Sequence, residues 1–400
     1  MGDRQQHVGG VSMLWRSGLA LHRRRTRCAA TDHVARRRVR RHRGVEDAGA
    51  RARIARGEEQ VPEAAVERES GRVPEGTAAK IRHLEARFRS LWGDIGEVAE
   101  AFGNAWAATA DPAAAIAWYT RALDANDGTA SLKVVEQLGN LRARNAWATV
   151  EKALNEIARP AGKAAGKRGK PRRSAGRGTA KGDRAKAQNA PFDDARKEIA
   201  AALALLERVA QLQPTVERES LCGSAWKRVA MIEAAVADER EEAKAIENMK
   251  AAYASAVKIA RKSKADNLFY PALNWMAAEL IANAGKRASH RFDRGLLEEV
   301  RANLAAKTRD DPDFWSVAAL ADLRVYEALA EGNLAGALES IMRDYRDLHA
   351  RVSAPWMWGS VLDQLCFVLP KYAKRASAPE RQAVETLMRL LETFTGAAAD

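Results

Sequence analysis

The stretch "FGNAWAATADPAAAIAWYTRALDAND", Phe102 to Asp127, constrains the fold more than any other part of the chain. From Gly103 it places Trp106, Ala115, Tyr119 and Ala122 at offsets of 3, 12, 16 and 19 residues. Two helices joined at "TADP" satisfy those offsets. Small Gly103 and Ala115 let the helices approach closely, Trp106 and Tyr119 fill the space beside them, and Ala122 admits the next helix. Asp111 is an N-cap with Pro112 at the first helical position. One helical hairpin cannot bury its own apolar face, so an array of such hairpins is expected.

The rest of the sequence agrees with helices. Ala, Leu, Glu, Arg and Lys dominate and strand formers are sparse. Cys28, Cys222 and Cys366 are odd in number and far apart, which points to a reducing compartment and a cytoplasmic protein. No apolar run approaches the roughly 20 residues of a membrane span, so no membrane partner is expected.

The net charge of +14 is concentrated in two places. Met1–Glu75 carries 17 Arg against 10 Asp and Glu, and Arg159–Pro191 carries 11 Lys and Arg against Asp183 alone. These segments more than account for the excess, leaving the remainder close to neutral. Residues 1–79 lack Lys, Phe and Tyr and show neither helical nor strand periodicity. Residues 159–191 lack large apolar side chains and cannot offset the entropy of ordering. The expected organisation is therefore a disordered Arg-rich tail (1–79), helices over 80–158, a flexible basic insertion (159–191), and a helical array over 192–396.

The pattern from about Gly96 to Thr129 resembles a tetratricopeptide repeat, with its Leu-Gly, aromatic, Ala, aromatic and Ala positions. Degenerate further copies follow. Leu138-Gly139 lies 36 residues after Phe102-Gly103, Gly223 and Trp226 repeat the step from Gly to aromatic, and Tyr253 and Ala256 resemble a second helix. The resemblance implies an all-α fold, an α-α superhelix of the tetratricopeptide-solenoid type. A later region, Asp266–Gly285 with Asp311–Leu338, is similar to the tetratricopeptide-type region of mitogen-activated protein kinase kinase kinases that binds TRAF adaptors. Tyr270-Pro271-Ala272-Leu273-Asn274 stands where that family has Tyr-Pro-Gly-Ile-Asn, and Asp313-Phe314-Trp315 where it has Asp-Tyr-Trp. The same region occurs in bacterial proteins, some attached to signalling or defence effectors, and implies an adaptor role.

Catalytic and cofactor motifs are missing. No phosphate loop follows a strand, and neither Gly-x-Ser-x-Gly nor His-Glu-x-x-His occurs. His83, His290 and His349 are dispersed, and Cys222 has the surroundings of a structural thiol. Neither an enzyme nor a cofactor or metal site is expected.

The expected function is a non-enzymatic scaffold whose concave groove takes a protein or peptide partner. Asn104 and Asn140 each follow a landmark glycine, and Asn274 holds the matching place if Ala272-Leu273 replaces Leu-Gly. In peptide-binding tetratricopeptide domains Asn at this place pairs with the ligand backbone, and an amide can both donate and accept. Lys133, Arg144, Lys227 and Arg228 would supply charge for a carboxylate. The alternative partner is nucleic acid, contacted by the basic tail and insertion through phosphates in a salt-dependent way.

Overall fold

The computed structural model describes residues 76–109, 111–158, 179–284 and 290–396. The expected Arg-rich tail lies outside them, apart from its last residues, and so does the expected insertion over 159–178. Thirteen helices and no strand occur among the described residues. They are α1 (Thr77–Trp92), α2 (Gly96–Ala108), α3 (Pro112–Asp124), α4 (Leu132–Ala158), α5 (Thr179–Leu212), α6 (Val216–Ala235) and α7 (Glu239–Ser263), then α8 (Phe269–Asn283), α9 (Arg294–Asp310), α10 (Phe314–Glu331), α11 (Leu334–Arg351), α12 (Pro355–Ala373) and α13 (Ala378–Phe394). The backbone is helical from Thr179 onward, through Pro191. The architecture is an all-α solenoid of neighbouring helical hairpins, and it divides into two compact units at Leu138/Gly139.

In the first unit, α2 and α3 form the hairpin read from the opening stretch. Asp111 caps α3 by accepting from the Ala114 N–H at 3.0 Å, with Pro112 beside it. The Tyr119 ring lies directly over Gly103, where an added Cβ would come within 2.5 Å of a ring carbon. Ala115 and Ala122 are fully buried, and Phe102 stacks on Trp118 with ring centres 4.6 Å apart. Trp106 is buried and donates its indole N–H to Glu85 of α1 at 3.2 Å. The start of α2 has no cap of its own. Instead Asp127 accepts from the Gly96 N–H at 3.0 Å and Thr129 from the Glu97 N–H at 2.9 Å.

The second unit repeats that contact. A Cβ at Gly139 would sit 2.6 Å from Leu206 of α5, and one at Gly223 would sit 2.6 Å from the ring of Tyr253 in α7. Trp226 is half-buried against the core, which runs continuously from Ala230 to Phe394. Local caps set the helix starts: Thr215 for α6, Asp238 for α7, Asp293 for α9, and a reciprocal Asp313–Ser316 box for α10. Helix α11 is capped from a distance. Buried Glu380 of α13 accepts from the N–H groups of Leu334 and Ala335, both at 2.9 Å, and from the Tyr372 hydroxyl at 2.8 Å. Trp358 of α12 is wholly enclosed and donates to the Val352 carbonyl at 2.7 Å. Its neighbour Trp356 stays 39% exposed.

The terminal hairpin does more than close the core. Helix α12 packs on α8 and α10 as well as α13, and side chains tie it to α6.

Candidate interaction groove

The first helices of successive hairpins, α4, α6, α8 and α12, bring their inner faces together in the second unit. On α4 the residues Asn140, Arg144, Trp147, Glu151 and Leu154 recur at intervals of three or four and so share one face. Helix α6 contributes Lys227 and Arg228, α8 contributes Tyr270 and Asn274, and α12 contributes Asp363 and Gln364.

Lys227 is buried, and its ammonium donates to Asp363 Oδ2 at 3.1 Å and Gln364 Oε1 at 2.9 Å. It also lies over the Phe367 ring at 5.2 Å. Gln364 passes the chain on by donating to the Tyr326 hydroxyl at 2.9 Å. Burial lowers the Lys227 pKa, and Asp363 only partly opposes it. At Asp363 desolvation pulls the other way and is outweighed by the charges of Lys227, Arg228 and Arg144, so its carboxyl is held below the usual value. Lys227 thus donates to this carboxylate directly, while Arg228 and Arg144 act on it through their charge alone.

Two of those cations keep unused hydrogen-bonding capacity. Arg228 donates to the carbonyl and hydroxyl of Ser224, at 2.9 and 2.6 Å, while its Nε is buried without a partner. The guanidinium of Arg144 has no hydrogen-bond partner among the described residues. Surrounding protein and the like charge of Arg228 lower its pKa. Nearby, the Tyr253 hydroxyl donates to that of Tyr270, and both phenols are shifted upward by burial.

The residues proposed for a groove are therefore not gathered in one place. Arg144, Lys227 and Arg228 converge on Asp363. Asn274 donates to the Tyr270 carbonyl of its own helix at 3.0 Å. Asn140 lies one turn before Arg144 and is half-buried. Asn104 and Lys133 belong to the first unit, where Asn104 accepts from the Tyr119 hydroxyl at 2.7 Å and Lys133 pairs with Glu136 at 2.9 Å. Asp363, Gln364 and the Tyr253–Tyr270 pair are the members that sequence reasoning missed. "DQ" inside an apolar helix was the available signal, since a polar pair there needs partners.

Beside the cationic cluster, α4, α6 and α12 enclose a groove of about 440 Å³. Its walls are mainly apolar, from Trp147, Leu154, Met231, Leu362 and Phe367. Glu151 and Asp363 stand at its edge, and Glu242 there is ion-paired to Lys371. Cys366 opens onto it, but burial pushes this thiol up to about 11, so it is a poor nucleophile at neutral pH. The buried Cys222 thiol is likewise pushed up to about 12.

No cluster of three metal-ligating side chains and no helix able to cross a membrane occurs among the described residues. Residues 111–280 match the model of a family described as Tetratricopeptide Repeats-Sensor, TPR-S. The match runs from the cap of α3 into the last turn of α8, under half of the chain, and supports tetratricopeptide-type repeats over those helices. Such repeat folds generally serve as protein-interaction scaffolds and are not catalytic. No curated protein matches the chain.

Proposed function

We propose that this repeat array is a non-enzymatic adaptor whose second unit recognises an acidic segment of a protein partner on the inner faces of α4, α6 and α8. The observation that carries the reading is the convergence of Arg144, Lys227 and Arg228 on the single carboxylate of Asp363. Desolvation and then the like charge of Arg228 lower the proton affinity of Arg144, and an incoming carboxylate relieves that repulsion. Asn140 and Asn274 would then orient the partner's backbone, as their positions after the landmark residues imply. The word "Sensor" in the matched family's description fits a module whose occupancy reports on a partner, and the kinase-kinase-kinase resemblance at Tyr270–Asn274 suggests an adaptor in bacterial signalling or defence.

The test is affinity capture with the full chain and with an Arg144→Gln/Arg228→Gln double variant. Partners held by this cluster are lost from the variant and weakened by salt in the wild type. An identical set of partners, equally retained, would overturn the reading.

A further inference from the structure

The groove carries a second, oppositely charged feature that an acidic ligand does not use. Three carboxylates border it, and two are already engaged: Asp363 by Lys227, and Glu242 by Lys371. Glu151 has no ion-pair partner among the described residues. The residue is exposed, and partial desolvation, followed by the neighbouring charge of Asp363, raises its pKa. Arg144 and Glu151 are thus one open cation and one open anion on the same face of α4, seven residues and about 10 Å apart along the axis. Trp147 lies between them and forms part of the apolar wall. The opposite wall is α12, lining the groove from Gly359 to Lys371 over about three turns. Walls formed by helices over that length suit a further helix laid alongside them.

We propose that this groove seats an amphipathic helix of a protein partner, with an acidic residue on Arg144, a basic residue about two turns away on Glu151, and an apolar side chain between them against Trp147. The inference rests on the acidic-partner reading above and adds the basic residue, the spacing and the helical form. Neither charge alone distinguishes this partner from other charged helices. The pair at a fixed spacing does, because a helix with like charges at both places leaves one of them facing its own sign.

Four labelled, Ala-based helical peptides with a central leucine test it against the full chain by fluorescence anisotropy. They carry Glu and Lys seven residues apart, Glu and Gln, Gln and Lys, or Gln and Gln. The Glu/Lys peptide is expected to bind at least about tenfold more tightly than the Gln/Gln peptide, from two charge-assisted contacts. Arg144→Gln should abolish the gain from Glu alone, and Glu151→Gln the gain from Lys alone. Gly359, where an added Cβ meets nothing within 4 Å, gives a steric variant that leaves the fold alone: Gly359→Leu should weaken all four peptides. Equal affinities, or no measurable binding of any peptide, overturn the proposal. A dependence on Glu without one on Lys also overturns it, while leaving the cationic-cluster reading standing. Indifference of every Glu-bearing peptide to Arg144→Gln counts against both.

Discussion

The α2–α3 hairpin of the first unit and the α6–α7 hairpin of the second are built on one contact, a glycine pressed beneath a tyrosine ring: Gly103 under Tyr119 and Gly223 under Tyr253. What the tyrosine hydroxyls do next separates them. Tyr119 donates to Asn104, the amide that the sequence reading assigned to ligand binding. Tyr253 donates to another phenol, Tyr270, beside two guanidiniums that keep unused donors. Shared packing therefore yields a hairpin that satisfies its own polar groups in one unit and an inner face with open charges in the other. The repeat fixes the scaffold; which polar groups remain unmatched decides where a partner could gain by binding.

The distant caps offer the strongest way to break the comparison. Asp127 and Glu380 play the same part, each accepting from the start of a helix far away in sequence, but Asp127 is exposed and Glu380 buried. Glu380→Ala should cost about 3 kcal/mol in chemical denaturation, because it strands buried donors. Asp127→Ala should cost about 1 kcal/mol, the usual value of an exposed cap. Equal losses would mean that burial does not distinguish the two. The Asp127 carboxyl is held below 3.8 by the hydrogen bonds from Gly96 and Thr129, against a desolvation that raises it. Its contribution is present above that value and disappears as the pH falls through the lower, folded-state one.

Next in size is the shared glycine contact. Gly103→Ala and Gly223→Ala should each cost about 2 kcal/mol through overpacking. Combining each with Tyr119→Leu or Tyr253→Leu should recover part of the loss, as a double-mutant cycle would show. If either glycine tolerates Ala without loss, the hairpins do not share a packing rule.

A pH profile sharpens the view of the second unit's polar interior. Asp322 of α10 accepts from the Tyr345 hydroxyl at 2.5 Å, and burial pushes its carboxyl up from 3.8 to about 7. A raised folded-state value means that its favourable contribution is complete below pH 3.8 and is lost as the pH rises through 7. Asp322→Asn should flatten the stability profile across that window. An unchanged slope in wild type and variant would show that the carboxyl does not titrate there.

What was legible in the sequence follows from how local each contact is. Gly103, Ala115, Tyr119 and the Asp111-Pro112 cap all lie within one hairpin, so fixed offsets reveal them. Lys227 could be placed on an inner face by its distance from Gly223, but nothing local shows that its charge is already taken by Asp363, 136 residues later. The same limit hid the Glu380 cap and the open carboxylate of Glu151. Each depends on where α12 and α13 return, which a degenerate repeat does not specify. Asn104 shows the converse: its position invites a ligand, and only the fold reveals that its amide oxygen already accepts from the Tyr119 hydroxyl.

The bond between Lys227 and Asp363 also bears on how the second unit comes apart. Stacked hairpins ordinarily fray from a free end, one repeat at a time, because each touches only its neighbours. Here the last hairpin is fastened to one near the beginning, and peeling it away would strand an ammonium in an apolar interior. Loss of the C-terminal pair of helices would therefore propagate at once to α6, and the array should melt as a single cooperative block.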